Sequence, residues 1–300
     1  MKKVFKWIGI VLGSLIGLVL VAGVVFYLKG NASLNKTYDF PPSNLTIPTD
    51  EASVARGNHI ADTLCRDCHG QDLSGDVMLD DPMMGILDAA NLTTGEGGAG
   101  QEFTSDEDYV LAIRHGINPD GKPIFMPAVY ATSQLSDEDL AAVIAYVRTL
   151  APVDNVTRGL QLKPFAKILI GAGQFPKLPV EVVSHDVHVT APERGVSVEY
   201  GKYLVYTSGC QDCHGNELSG GEYPDPTVQL LVPNITPGGE VGLWSEKDFI
   251  NAIRTGVTPS DHQLNSDHMP WETYRLLTDD ELKAIYMFLQ SLPKLDQHTP

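Results

Sequence analysis

Two short stretches, Cys65-Arg66-Asp67-Cys68-His69-Gly70 and Cys210-Gln211-Asp212-Cys213-His214-Gly215, decide how this sequence of 300 residues is interpreted. Together they contain all four of its cysteines. Both have the order Cys-x-x-Cys-His, so the same chemistry is expected twice along the chain.

The spacing within each stretch suits the covalent attachment of haem c. Two thiols three positions apart on a helical turn can form thioethers with the two vinyl groups of a porphyrin, and the adjacent histidine then ligates the iron. A zinc site needs a closed set of four ligands, and a dithiol redox pair is typical of a βαβ context, which the pattern here does not have. We therefore predict two covalently attached haems, held by two attachment segments, residues 65–69 and 210–214.

The attachment segments belong to two copies of one longer unit. Residues 54–150 and 198–292 match piece by piece, with offsets that drift between 140 and 145 as loop insertions would cause. The matching pieces are Leu73-Ser74-Gly75 with Leu218-Ser219-Gly220, Asn91-Leu92-Thr93 with Asn234-Ile235-Thr236, Ala112-Ile113-Arg114-His115-Gly116 with Ala252-Ile253-Arg254-Thr255-Gly256, and Met126-Pro127 with Met269-Pro270. We predict two domains of one fold over these ranges.

Each copy has the sequence pattern of a small helical domain. Capping-box patterns occur where helices should begin, and glycines occur where two of them should end. The predicted starts are Ser105-x-x-Asp108, Ser136-x-x-Asp139, Ser245-x-x-Asp248 and Thr278-x-x-Glu281, and the predicted ends are Gly116 and Gly256. Apolar residues follow at helical spacing in the last helix of each copy. The expected fold class is mainly α.

A sixth iron ligand has to come from elsewhere in each copy. Met126 and Met269 occupy matching positions, and each is followed by proline. We predict that Met126 completes the iron coordination with His69, and that Met269 does so with His214. This ligand pair raises the reduction potential relative to stronger donors, which suits an electron carrier.

Other side chains compete for the sixth position. In the second copy His268 would give bis-histidine ligation, with His262 behind it, but in the repeat His268 aligns with Phe125. The first copy has three competing methionines without counterparts, Met78, Met83 and Met84. The repeat therefore favours the two Met-Pro positions.

An uncharged run of 22 residues, from Trp7 to Leu28, predicts a membrane anchor. As a helix it spans about 33 Å, against a hydrocarbon core of ~30 Å. It is longer than the apolar core of a signal peptide and has a bulky exit, so an uncleaved anchor over residues 1–30 is favoured over a cleaved signal. Three lysines before the run, against one directly after it, place the N-terminus inside. The haem domains are then expected on the periplasmic face of a bacterial inner membrane, behind a single-pass helix.

Three segments lie outside these units. Residues 31–53, with Pro41 and Pro42, are predicted to form a tether that leaves the domains free, and 293–300 a tail. Residues 151–197 are rich in proline and glycine and are predicted to form an ordered strap across the two domains. Within the strap, Val180 to Val189 has the composition of a strand, in which His185 and His188 would point to opposite faces.

The net charge of −17 bears on the choice of partner. The first 30 residues contain four lysines and no acid, so residues 31–300 carry −21. This charge argues against nucleic acid or an anionic membrane surface as the partner. If the acidic surface steers encounters, the expected partner is a basic redox protein. If it does not, the charge serves only to keep the protein soluble.

The exported part resembles a tandem pair of class I cytochrome c domains. It is most similar to membrane-anchored cytochrome c subunits that accept electrons from periplasmic alcohol, aldehyde and sugar-acid dehydrogenases. The pieces that carry the resemblance are Pro233-Asn234-Ile235-Thr236-Pro237, Trp244-Ser245-Glu246-Lys247-Asp248-Phe249 and Ala252-Ile253-Arg254-Thr255-Gly256. Those subunits typically carry three haems, whereas this sequence has two attachment segments.

Further contacts are expected around each haem. The resemblance implies that a proline soon after the attachment segment offers its carbonyl to the histidine, and Asp81-Pro82 and Asp225-Pro226 occupy matching places. Arg114 and Arg254 are candidates for hydrogen bonds to the haem propionates, and equally for a purely structural position on a helix.

We predict an electron carrier with no catalytic residues, relaying electrons between a dehydrogenase or soluble donor and the respiratory chain. A dihaem peroxidase is the enzyme alternative, but it needs an open iron position and unlike copies. A thiosulfate-oxidising dihaem enzyme would need a fifth cysteine as ligand. A fixed dihaem subunit of a haem-copper oxidase would have the same chemistry with different partners.

Overall fold

The computed structural model describes residues 2–175, 177–185, 188–224 and 228–298. As predicted, the described chain is mainly helical, with one long apolar helix at its N-terminus and two lobes that correspond to the two copies. The helices are α1 (Lys2–Leu34), α2 (Glu51–Leu64), α3 (Arg66–His69), α4 (Ala99–Glu102), α5 (Asp106–Val110), α6 (Val129–Thr132), α7 (Asp137–Val147), α8 (Pro164–Gly171), α9 (Val198–Thr207), α10 (Cys210–His214), α11 (Glu246–Thr255), α12 (Trp271–Tyr274) and α13 (Asp279–Ser291).

Two small antiparallel sheets complete the lobes. The strands are β1 (Val77–Asp81), β2 (Gly85–Asp88), β3 (Leu160–Leu162), β4 (Gly221–Glu222) and β5 (Leu231–Val232). In the first lobe the order is β1-β2-β3, with Gly85 opposite Leu162. Since β3 belongs to the strap, the strap is joined to the first lobe by backbone hydrogen bonds.

The first and last helices of each lobe cross at a glycine. A Cβ atom on Gly57 of α2 would lie 1.9 Å from the carbonyl oxygen of Ala142 in α7, and one on Gly201 of α9 would lie 1.9 Å from that of Ala284 in α13. Only glycine permits so close a crossing. The same crossing therefore organises both lobes, each around its own apolar core.

The predicted helix boundaries are confirmed where side chains set them. Full capping boxes begin α5, α11 and α13, and Ser136 caps α7 while the Asp139 carboxylate is used elsewhere. Gly116 and Gly256 adopt left-handed conformations, with φ of 69° and 71°, and end their helices. In the first lobe, α5 continues as a π-helical segment from Leu111 to His115 before Gly116, whereas α11 is regular throughout.

A buried ionic cluster, which we call the lobe seam, joins the two lobes. Arg56 of the first lobe donates to Asp139 (2.9 Å) and across the seam to Glu281 (3.2 Å). The His59 ring lies 2.7 Å from the same Glu281, and the Tyr203 hydroxyl donates to Asp139 (2.7 Å). Burial alone would raise the pKa of Glu281, but its bonds to His59 and Arg56 bring it to about 2. The lobes are thus held in one orientation by paired charges.

Residues 35–50 pack along the surface of the first lobe. Glu107 accepts hydrogen bonds from the N–H (3.1 Å) and hydroxyl (2.8 Å) of Ser43, and the N–H of Tyr38 donates to the Gly121 carbonyl (2.9 Å). Phe40 stacks on the buried His115 at 4.6 Å. The segment predicted as a loose tether is therefore packed.

The described part of the strap contacts the first lobe, but the strand predicted over 180–189 is wrong. A short 3₁₀ turn at Pro179–Glu181 begins this stretch, and residues 182–185 and 188–189 form no strand. The two histidines of this stretch contact different parts of the first lobe. His185 lies against His115 at 2.9 Å between Nδ1 atoms, and His188 contacts Asp137 at 2.7 Å.

Candidate haem sites

Both attachment histidines are oriented by a backbone carbonyl. The Nδ1–H of His69 donates to the carbonyl of Ala90 (2.7 Å), and that of His214 donates to the carbonyl of Pro233 (2.8 Å). This bond fixes the tautomer and leaves Nε2 as the available iron ligand. Each acceptor directly precedes the asparagine of the repeated Asn-x-Thr piece, so the two carbonyls occupy matching positions in the repeat.

The acceptor expected from the resemblance is therefore wrong in the first lobe. Asp81 and Pro82 form the turn between β1 and β2, where the Asp81 carboxylate accepts from the N–H groups of Met83 and Met84. The hydrogen bonds of that turn are internal, and the Nδ1–H of His69 donates to Ala90 instead. In the second lobe, Asp225 and Pro226 lie outside the described residues, and His214 uses the carbonyl of Pro233.

The loop after each attachment histidine contains a leucine in a strained conformation. Leu73 and Leu218 are buried and have φ of 60° and 59°, in the left-handed region that a leucine rarely adopts. The glycine two residues beyond each leucine donates its N–H to the carbonyl of His69 (2.8 Å) or His214 (2.9 Å). Because strain of this kind is retained only where surroundings impose it, its repetition marks the loop as part of the site.

A buried asparagine braces the loop that carries each acceptor carbonyl. The amide of Asn91 donates to the carbonyl of Val153 (2.8 Å), and that of Asn234 donates to the carbonyl of Leu295 (2.7 Å). The side-chain oxygens accept from the N–H of the threonine two residues on. The start of the strap and the C-terminal tail therefore complete their lobes in the same way.

None of the four cysteines is in a disulfide. Burial raises the pKa of Cys65 and Cys210 to about 12, and it raises those of Cys68 and Cys213 as well. A dithiol redox pair requires the opposite shift, because its thiolate is the reactive species. The pairs therefore suit thioether attachment better than disulfide exchange.

The predicted methionines lie at the same point of each lobe. Met126 and Met269 are half-buried, each directly before a short helix, α6 or α12. The same hydrogen bond closes the loop that carries each methionine. The N–H of Ile124 donates to the carbonyl of Gly116 (2.8 Å), and the N–H of Leu264 donates to the carbonyl of Gly256 (2.7 Å). The second loop then has three more residues before its methionine. Of the rivals, Met78 and Met83 are exposed on the hairpin.

The second lobe contains buried polar atoms that a bound haem would satisfy. Trp271 Nε1 and His268 Nδ1 have no hydrogen-bond partner among the described residues. Trp271 follows Met269-Pro270, and its ring packs so closely on Gly256 that a Cβ there would lie 2.4 Å from it. An indole N–H needs an acceptor, which a haem propionate supplies. The residues around the site thus fit the group that the attachment segment predicts.

Arg114 and Arg254 hold helices together. Arg114 is buried and donates to Asp137 in the first turn of α7 (2.8 Å) and to the Leu135 carbonyl (2.8 Å). Arg254 donates to Asp279, in the first turn of α13, at 2.7 Å. These contacts support the structural role, and the hydrogen bonds to haem propionates stay a prediction.

The two lobes also meet through the short helix after each methionine, since α6 contacts α9 and α12 contacts α2. The helix after each methionine faces the attachment segment of the other lobe: a Cβ on Gly209, just before α10, would lie 3.6 Å from that of Ala131 in α6. Burial raises the pKa of Tyr274, in α12, and the charge of Asp67 from the first lobe adds to the shift. Burial and the charge of Asp212 act in the same way on Tyr130.

The fold and these sites define a class of small helical domains that hold a porphyrin by two thioethers and an axial histidine, here present as a pair. The chain belongs to the cytochrome c family, whose sequence profile matches residues 54–151 and 198–293. Domains of this family carry covalently bound haem c, and the predicted identity of the tandem domains is confirmed.

Curated relatives extend this similarity beyond the domains. The fructose dehydrogenase cytochrome subunit of Gluconobacter japonicus is 28% identical over 263 residues, 80% of this chain and 53% of the relative. The cytochrome c subunit of a quinone alcohol dehydrogenase from Gluconobacter oxydans (strain 621H) is 27% identical over 282 residues, 83% of this chain and 56% of the relative. The gluconate 2-dehydrogenase cytochrome c subunit of Pantoea cypripedii is 26% identical over 283 residues, 82% and 61%.

The chain therefore spans between 53% and 61% of the length of these relatives. Each relative is named as the cytochrome subunit of a dehydrogenase, which agrees with the prediction of an electron carrier rather than a catalyst.

Proposed function

We propose that this protein is an electron-transfer subunit that carries two haem c groups with His/Met ligation. Haem iron, when bound, supplies a one-electron redox centre. The residues of the chain attach it, orient the axial histidine and brace the surrounding loop, in the same way in both lobes. The proposed site residues are Cys65, Cys68, His69 and Met126 in the first lobe and Cys210, Cys213, His214 and Met269 in the second.

The observation that carries this proposal is the contact between the lobes, in which the short helix after each methionine packs against the helix before the other lobe's attachment segment. Electrons pass between centres only over short distances, so a relay needs both sites on one rigid body. The paired charges of Arg56, Asp139 and Glu281 support such a body, because separating the lobes would leave buried charges unpaired.

We place the two lobes on the periplasmic face of a bacterial inner membrane. Helix α1 is long and apolar enough to span a bilayer, and its N-terminal lysines favour a single pass with the N-terminus inside. The electron donor is then a dehydrogenase on the same face, as the names of the relatives suggest, and the acceptor belongs to the respiratory chain. The acidic lobes favour a basic surface on at least one partner.

A peroxidase function is the less favoured alternative. It requires one haem with an open or displaceable ligand and nearby acid-base groups, and therefore two unlike sites. The matched histidine bonds, strained leucines and asparagine braces support two sites of the same kind.

The test uses the full-length chain purified from membranes in detergent. We expect a pyridine haemochrome assay to count two covalent haems per chain, and both haems to be reduced when a membrane fraction oxidises ethanol, fructose or gluconate. A count of one, or haem that acid-acetone extracts, would overturn the proposal. Rapid turnover of hydrogen peroxide by the reduced protein would favour the peroxidase instead.

A further inference from the structure

The strap helix α8 and the N-terminal helix α1 are in direct backbone contact. A Cβ on Gly30 of α1 would lie 2.0 Å from the carbonyl oxygen of Lys167, and one on Gly171 of α8 would lie 1.9 Å from that of Phe26. The Lys167 ammonium also donates to the Asn31 side chain (2.9 Å). Helix α8 is therefore fixed to α1 and does not belong to either lobe's core.

The contact sets the depth of α8 relative to the apolar run. Lys167 lies beside Gly30, just beyond the end of the run at Leu28, whereas Gly171 lies beside Phe26, which is inside it. The two helices are therefore antiparallel, and the C-terminal end of α8 points back towards the membrane. With a length of about 12 Å, α8 extends over the depth of the lipid headgroups.

The exposed side of α8 is apolar. Phe165 is 43% exposed, and Ile168, Leu169 and Ile170 are half-buried, with no other described element of the chain covering them fully. An apolar face of this kind, held along a spanning helix at the end of its apolar run, is suited to contact with the interfacial region of a bilayer.

The charge around the contact is opposite to that of the rest of the protein. Residues 1–38 and 159–178 contain no acidic residue, although the whole chain has 38. Five lysines lie in these two segments beyond the apolar run, namely Lys29, Lys36, Lys163, Lys167 and Lys177. The net charge had argued against an anionic membrane surface, but this region is locally basic and suits anionic headgroups.

We propose that α8 is a second membrane contact, embedded among the headgroups of the outer leaflet beside α1, and that its occupant is an anionic phospholipid bilayer. Because β3 immediately precedes α8 and pairs with β2, the first lobe is then held at a fixed height above the bilayer. The proposal rests on the proposed membrane location of α1, and the experiment separates the two.

A photo-crosslinking benzophenone amino acid is placed at Phe165 in the full-length chain, in vesicles of phosphatidylcholine and phosphatidylglycerol. Controls carry it at Leu15 in α1 and at the exposed Leu243 of the second lobe. We expect on the order of tenfold more lipid adduct at position 165 than at 243, and abundant adduct at 15. Adduct at 15 with none above the 243 level at 165, or peptide adducts from a second copy at 165, would overturn the proposal. No adduct at 15 would instead refute the location of α1.

The matched pair Gly171→Ala and Gly13→Ala tests the role of the helix contact. A Cβ at position 171 has to push α8 away from Phe26, whereas one at position 13 meets nothing within 4 Å. We expect Gly171→Ala to lower the lipid adduct at position 165 several-fold, with the haem count unchanged, and Gly13→Ala to leave both unchanged. Equal adduct yields in the two variants would show that the contact with α1 does not position α8.

Discussion

The two lobes have the same interior but different surroundings. Both have the helix crossing at glycine, the histidine-to-carbonyl bond, the left-handed leucine and the braced asparagine. Among the described residues, only the first lobe is joined to the strap through a three-stranded sheet, and only it is lined by residues 35–50. What the lobes share surrounds the proposed haem sites, and what separates them connects the first lobe to helix α1.

The π-helical segment shows this division within one helix. Residues 111–115 are π-helical, whereas the equivalent residues at the end of α11 are regular α-helix. The π-helical segment ends in His115, which is 1% exposed. His115 contacts Phe40 from the segment before the lobe and His185 from the strap. Its counterpart, Thr255, is exposed at the end of a regular helix. The π-helical turn therefore occurs together with contacts that the described residues make in the first lobe and not in the second.

The largest expected effect is the loss of a whole cofactor from one lobe at a time. We expect Cys65→Ala/Cys68→Ala and Cys210→Ala/Cys213→Ala each to reduce the covalent haem count from two to one, because each attachment segment serves its own lobe. Haem staining of denaturing gels and pyridine haemochrome spectra give the count. If either double variant lost both haems or retained both, the lobes would not be equivalent sites.

Removal of one axial ligand should have a smaller effect that is still equal in the two lobes. We expect Met126→Ala and Met269→Ala each to remove roughly half of the weak sulfur-to-iron absorption band of the oxidised protein, with two haems still attached. Met83→Ala, on the exposed hairpin, and His268→Ala are the matched controls and should leave the band intact. A band that depended on His268 instead of Met269 would show that the second lobe is ligated differently.

The lobe seam should be the strongest single contribution to the stability of the pair. Arg56→Ala removes the cation that Asp139 and Glu281 share and leaves them only Arg194 (3.3 Å) and His59 (2.7 Å), and we expect it to lower the free energy of unfolding by about 3 kcal/mol. Lys283→Ala, which removes an exposed pair with Asp280, should cost ~1 kcal/mol or less. Denaturant unfolding followed by circular dichroism measures both. Equal effects of the two variants would mean that the lobes are not coupled through this cluster.

The smallest expected effect is a pH dependence confined to the first lobe. Burial, followed by the nearby His185 and Arg114, lowers the pKa of His115 to about 4 from its ordinary 6.5. The folded state therefore binds this proton less readily than the unfolded state, so stability is complete above pH 6.5 and decreases as the pH falls towards 4. The loss should reach about 2 kcal/mol at pH 5.

The control for this effect is His115→Gln, which removes the titrating group from the first lobe. Its unfolding free energy should change less between pH 7 and pH 5 than that of the unaltered protein, whatever the absolute stability of the variant. An unchanged slope would assign the pH dependence to other groups.

The repeat and the helix ends could be predicted because both depend on local patterns. Ser105 with Asp108, and Gly116, act on neighbouring backbone atoms, so the sequence nearby is sufficient evidence. The acceptor for His69 could not be found in that way, since the Ala90 carbonyl is 21 residues away and a backbone oxygen has no residue signature. Arg56 was missed for the same reason, because its partner Glu281 is 225 residues distant.

The lobe seam is not symmetric, and its asymmetry affects which substitutions each half tolerates during evolution. Gly57 and Gly201 are equivalent in the crossings, so Arg56 and His59 correspond to Tyr200 and Tyr203. Two first lobes paired in this way would each bring an Asp139 with their Arg56, whereas two second lobes would bury their Glu281 carboxylates without either of these cations. The second lobe therefore depends on the first for the charges that pair its buried acid. A substitution at the seam in one half constrains the substitutions tolerated in the other.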